Sequence, residues 1–161
     1  MDERDVRILK AIADLGTDSP ERLHEETDIP ISTIHYRLNN LREDGVIEND
    51  LNDLDLDAVG LGVTVIVEVL AEYSGTYDDV AEKFGNIEGV TQVYLTMGET
   101  DFIVIAHLTD SDMVERLVSD FEALDEVERT NSTFVISTLK DSQRALEAYE
   151  LETLLDELVE E

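Results

Sequence analysis

The stretch from Ile31 to Gly45, Ile-Ser-Thr-Ile-His-Tyr-Arg-Leu-Asn-Asn-Leu-Arg-Glu-Asp-Gly, narrows the choice of fold more than any other part of the chain. Ile34, Leu38 and Leu41 fall at i, i+4 and i+7, one stripe of a helix. Ser32, Thr33, His35, Tyr36, Arg37 and Asn40 lie off that stripe, and each carries a hydrogen-bonding group. A helix face turned only to solvent more usually carries Glu and Lys. Hydroxyl, imidazole, guanidinium and amide groups together fit contact with base edges and phosphates.

The residues before this stretch supply two more helices. Val6, Leu9, Ile12 and Ala13 repeat at helical spacing from about Asp2 to Leu15, and Gly16 is a terminator. Ser19 and Pro20 start a second helix as N-cap and first helical residue, with Leu23 turned inward. Arg22 stands where a capping box wants Glu or Gln, so the box is incomplete. Ile29-Pro30-Ile31 makes a short turn, because Pro fixes its own backbone and biases its predecessor away from helix. Three short helices, the last two joined by a tight turn, form the helix-turn-helix pattern, whose second helix enters the major groove. Gly45-Val46-Ile47 then reads as a helix stop leading into an extended segment, as in winged versions.

Asp5-Val6-Arg7-Ile8-Leu9, the run Ile31 to Leu38, and Leu41-Arg42-Glu43-Asp44-Gly45-Val46-Ile47 resemble the leucine-responsive regulatory protein and asparagine regulator family, Lrp/AsnC. The likeness extends over about residues 3 to 140. That family usually carries more basic residues along this helix, whereas this chain places Asn39 and Asn40 there. Asn pairs bidentately with adenine. The DNA contacts expected are Ser32, Thr33, His35, Tyr36, Arg37, Asn40 and Arg42, with Arg37 and Asn40 reading bases or gripping phosphate.

After a polar, acidic segment from Glu48 to Gly60 the hydrophobic period changes from helical to two. Strands are expected over Gly62–Leu70, Val90–Met97, Phe102–Leu108 and Val127–Leu139. Helices are expected over Tyr77–Phe84, closed by Gly85, and from Asp110 or Ser111 through Leu124. The order βαββαβ gives a ferredoxin-like, antiparallel four-stranded sheet with both helices on one face. The uncovered face is too apolar for water, which predicts a dimer with two sheets facing each other. A last helix is expected from Asp141 to Glu161, with Leu151, Leu154, Leu155 and Leu158 on one side and acids on the other, a strap on its own dimer.

The fold class expected is therefore α+β. A winged helix-turn-helix domain at 1–47 is followed by a linker at 48–60, a ferredoxin-like domain at 61–140 and a C-terminal acidic amphipathic helix at 141–161.

The resemblance implies that the C-terminal domain makes the dimers, assembles them further and binds small effectors, commonly amino acids. Gly98-Glu99-Thr100-Asp101 is similar to the family's Gly-Asp-x-Asp effector loop, with Glu99 in place of the first Asp. A glycine-started turn exposes backbone donors and acceptors, and the Asp101 carboxylate suits an α-ammonium. Tyr94, Thr96 and Met97 belong to the same region, although alternate strand residues point to opposite faces. The plain alternative is a hairpin turn with solvated acids.

Charge is the awkward feature: 40 Asp and Glu against 11 Lys and Arg give −29. Six of the basic residues, Arg4, Arg7, Lys10, Arg22, Arg37 and Arg42, lie in the first third. With only three Lys, the balance resembles a salt-adapted, haloarchaeal-like protein, the alternative being an ordinary acidic interaction protein. At about 1 M salt the Debye length is roughly 3 Å, so a diffuse negative charge does not forbid contact with DNA. Affinity must then come from direct contacts more than from counterion release.

The remaining signals are exclusions. Cysteine is absent, which removes disulfides and thiolate metal sites. The start Met-Asp-Glu-Arg-Asp shows no signal peptide and no apolar run spans a bilayer, so the cytoplasm is expected. His24, His35 and His107 have no metal-ligand spacing, and no nucleophile motif or phosphate loop occurs, so no cofactor, metal or catalysis is expected.

The function expected is a sequence-specific DNA-binding transcription regulator, homo-oligomeric, bound to double-stranded DNA and modulated by an amino acid or similar effector. One alternative is an effector-sensing assembly protein without DNA binding. The other is an enzyme like the sirohaem decarboxylases, although the second domain offers one His and only Lys83, Arg116, Arg129 and Lys140 to hold an acidic tetrapyrrole.

Overall fold

The computed structural model describes residues 1–48, 54–72, 76–142 and 144–159. They form two compact units, one from the residues before Leu54 together with those after Leu139, the other from Leu54–Leu139. The linker expected at 48–60 lies partly outside the described residues. From Leu54 onward it is a run of turns belonging to the second unit.

The first unit is helical. In α1 (Glu3–Leu15) the Asp2 carboxylate accepts from the N–H groups of Arg4 and Asp5 at 2.8 and 3.1 Å, and Asp5 accepts from the Asp2 N–H at 2.9 Å. This reciprocal box satisfies donors that a helix start leaves without partners. Gly16 ends α1 at φ +63, a backbone conformation that favours glycine, and a Cβ there would push aside the Arg144 guanidinium. In α2 (Pro20–Thr27) Ser19 holds the N-cap position, but its Oγ donates to Glu21 and makes no cap bond. A left-handed Asp28 ends it, and α3 (Ile31–Glu43) follows. Ile8, Ala11, Leu23, Ile29, Ile34 and Leu38 make one buried cluster.

Two expectations for this unit need correction. Val46 and Ile47 are not extended: both N–H groups donate to the Leu41 carbonyl, because Gly45 at φ +72 turns the chain so that Ile47 packs against the cluster. The single helix expected at 141–161 is a 3-10 turn at Ala145–Ala148 followed by α6 (Leu151–Leu158). Tyr149 and Glu150 are extended and break it, and Leu154 is buried where α6 packs on α1 of the same chain. Arg144 Nη1 donates to the Ala13 carbonyl at 2.8 Å, in the last turn of α1 where the helix leaves acceptors unfilled.

The second unit is β1 (Val63–Ala71), α4 (Tyr77–Gly85), β2 (Val90–Leu95), β3 (Phe102–Leu108), α5 (Ser111–Glu122) and β4 (Val127–Phe134), with sheet order β2-β3-β1-β4, antiparallel throughout. β2 stops before Met97 because Leu95 already pairs with Phe102, where β3 begins. β4 stops before Leu139 because β1 starts at Val63 and offers no partner beyond the Val135 N–H to Thr64 bond.

Alternation sorts this sheet into two faces. Val65, Val67, Val69, Phe102, Val104, Ala106 and Leu108 are buried with Val80 and Phe84 of α4 and Val114, Leu117 and Phe121 of α5. Ile66, Glu68, Leu70, Ile103, Ile105 and Tyr94 lie on the other face. Phe84 is the junction of the core: its ring meets Phe102 edge-on at 5.1 Å and Phe121 at 5.3 Å. Replacing it by Ala should destabilise this unit by about 3–5 kcal/mol. Urea unfolding followed through amide signals of β1 and β3 measures this, and a loss under about 1 kcal/mol would contradict the assignment.

Candidate nucleic-acid interface and effector pocket

The apolar stripe of α3 decides which of its side chains reach outward. Ile34, Leu38 and Leu41 are buried, while Ser32, His35 and Tyr36 are exposed, Tyr36 to 66%. Thr33 and Asn40 are half-buried, and Asn39 is exposed. The N-cap is Pro30, so no side chain caps this helix start.

The two arginines are placed differently from the exposed residues. Arg37 Nη1 donates to Asp2 Oδ1 and to Asp5 Oδ1, both at 2.7 Å, and its side chain is only 17% exposed. Partial burial works against the charge of both groups, and the Arg37 hydrogen bonds outweigh it. Asp2 is left below its ordinary value and Arg37 above its own. Arg42 is ion-paired with Asp18. Arg37 thus ties α3 to the start of α1 through Nη1.

The Gly98–Asp101 segment is a closed turn. Thr96 Oγ1 donates to the Thr100 carbonyl at 2.7 Å and the Thr96 N–H to the Asp101 carbonyl at 2.8 Å. Asp101 Oδ2 accepts from the Ala71 N–H at 2.9 Å, and the Asp101 N–H donates to the Val69 carbonyl at 3.0 Å. Its Oδ2 is therefore held by backbone. Met97 is fully exposed, Tyr94 half-exposed on the open sheet face, and Gly98 exposed.

Beside this turn is a cavity of about 530 Å³. Glu99 and Thr100 line it together with Glu68 and Leu70 of β1 and Arg129, Thr130 and Asn131 of β4. Of the seven effector residues expected, only Glu99 and Thr100 reach it. The β1 and β4 contributors went unnoticed in the sequence. Their signal is the register that sets Leu70 opposite Arg129 and Glu68 opposite Asn131, and about sixty residues separate those partners.

The family model for the Lrp/AsnC ligand-binding domain matches residues 63–145, and a winged helix-turn-helix DNA-binding model matches residues 1–48. The transcriptional regulator FL11 of Pyrococcus horikoshii is 28% identical over 142 residues, 88% of this chain and 93% of its own. A transcriptional regulator of Neisseria meningitidis in complex with L-methionine superposes with TM-score 0.83 at 23% identity, covering 96% of this chain and 99% of its own. Escherichia coli AsnC gives TM-score 0.76 at 20% identity, over 88% of this chain and 95% of its own.

A helix-turn-helix unit joined to a sheet unit of this kind defines a DNA-binding transcription regulator with its own ligand-binding domain. The chain belongs to the Lrp/AsnC family. With regulators as its relatives, the sirohaem-decarboxylase alternative is set aside.

The Asp2–Arg37 pair gives an acid-side signature. Because the folded carboxyl lies below its ordinary value of 3.8, its contribution is complete above that value and is lost as pH falls through the lowered one. Asp2→Asn should lower the stability of the helical unit at neutral pH and reduce its loss on acidification. Circular dichroism melts across the acid range check this; parallel wild-type and variant pH profiles would contradict it.

Proposed function

We propose that the chain is a cytoplasmic, homo-oligomeric regulator that reads double-stranded DNA with the exposed polar face of α3 and senses an amino acid in its sheet unit. The observation that carries the DNA reading is the division within α3. Three apolar residues hold it to the core, while Ser32, His35 and Tyr36 stand outward next to an uncapped helix start. Thr33 and Asn40 flank that face. The half-buried Ile66, Ile103 and Ile105 with exposed Tyr94 support a second copy covering the open sheet face. Two recognition helices would then meet half-sites ~34 Å apart, or a multiple of that.

In molar salt the contacts of a chain of −29 are short-ranged, so hydrogen bonding carries more of the affinity than long-range attraction. The amino-acid reading is supported by two solved family members: the Neisseria regulator and a Mycobacterium tuberculosis feast or famine regulatory protein were each captured with L-methionine. One observation favours a second reading, an effector-sensing assembly protein without DNA binding: Arg37 and Arg42 are both engaged with carboxylates of their own unit.

Fluorescence anisotropy in molar potassium chloride, on a duplex selected from a random-sequence pool, separates the two. Ser32→Ala, His35→Ala and Tyr36→Ala should each weaken binding roughly tenfold while melting like the parent. Failure to select any duplex, or unchanged affinity in all three variants, would favour the assembly reading.

A further inference from the structure

The cavity beside the Gly98–Asp101 turn is chemically one-sided. Leu70 is the single hydrophobic side chain in its lining, and the rest are hydroxyl, amide, carboxylate and guanidinium groups. An amino acid with an apolar side chain, methionine among them, draws its side-chain contribution to binding from burial, at about 25 cal/mol per Å². On this chain's own side of the cavity one leucine gives little wall for that.

The charges in the lining are two carboxylates, Glu68 and Glu99, and one guanidinium, Arg129. Arg129 has no ion pair among the described residues, although Glu68 lies diagonally across the β1–β4 ladder from it. Glu68 is held instead by Asn131, whose Nδ2 donates to Oε2 at 2.8 Å, leaving Oε1 available. Three charged groups of unequal sign thus border an open space of about 530 Å³, within the ordinary range for small-molecule sites.

We propose that this cavity takes an amino acid with a cationic side chain, of the lysine, ornithine or arginine class. The inference rests on the effector reading above and specifies it. A ligand α-carboxylate answers the planar fork of Arg129. Two carboxylates then remain for two cationic groups, the α-ammonium and the side-chain terminus. An apolar amino acid leaves one carboxylate unanswered, an acidic one sets a second carboxylate against Glu68 and Glu99, and a diamine leaves Arg129 without an anion. Only a dibasic amino acid matches all three.

Isothermal titration of the full chain, at low and at molar potassium chloride, tests this with L-lysine, L-arginine, L-methionine, L-leucine, L-glutamate and cadaverine. L-lysine or L-arginine should bind at least about tenfold more tightly than L-methionine, with the margin shrinking as salt rises. Arg129→Met should weaken L-lysine about tenfold and remove its advantage over cadaverine. Glu68→Gln and Glu99→Gln should each weaken L-lysine and leave L-methionine unchanged. These positions are partly or fully exposed, and circular dichroism of each variant checks that it folds. L-methionine or L-leucine binding as tightly as L-lysine would overturn the inference and leave the effector reading standing. Absence of binding by every amino acid would overturn both.

Discussion

Positive charge is scarce in this chain, and the use made of it fixes much of the structure. With eleven Lys and Arg against forty acids, each cation has several carboxylates competing for it. Arg37 joins α3 to the cap of α1, Arg42 joins α3 to Asp18, and Lys83 of α4 joins Glu126 before β4. Arg144 goes to a carbonyl at the far end of α1. Exposed ion pairs contribute little, typically under about 1 kcal/mol, yet Arg37 is mostly shielded and bonds two carboxylates that also cap a helix. Its effect is to fix where α3 sits.

That commitment shapes the proposed DNA surface. A recognition helix in a protein of ordinary charge spends arginine on phosphates and on guanine. Here the arginines hold the helix in place, and the outward face is left with hydroxyl, imidazole and phenol groups. Such a face gives little long-range steering but keeps its hydrogen-bonding geometry when salt screens everything else. The same scarcity makes Arg129 conspicuous in the sheet unit. It faces a cavity and has no ion pair among the described residues, in a chain where most cations have a carboxylate or carbonyl partner.

Local pattern made most of the fold legible, and non-local pairing hid most of the site. The stripe Ile34, Leu38, Leu41 and the alternation in β1 and β3 depend on neighbours within a few residues, and they identified the elements and their buried faces. Strand ends depended on the partner instead: Val127–Leu139 is β-branched to its end, yet β4 stops where β1 begins. The partners that hold Arg37 and Asp101 were hidden for a related reason. Asp2 and the Ala71 N–H lie about thirty residues away from them, and nothing in a linear reading brings them close. Motif likeness drew attention to the turn at Gly98 and to Asp101, whereas the carboxylate of that turn lining the cavity is Glu99.

The break in the C-terminal segment has a consequence for how the two units are connected. A continuous helix from Asp141 would have carried its leucines along one axis. Extended backbone at Tyr149 and Glu150 instead lets the 3-10 turn and α6 both pack on α1, with Arg144 on the carbonyl of Ala13. The chain thus leaves the helical unit after α3 and returns to it directly after β4, making the sheet unit an insertion tied at both ends. β4 carries Arg129, Thr130 and Asn131 of the cavity and ends a few residues before that return. α1, in turn, receives Arg37 of α3 at one end and Arg144 of the tail at the other.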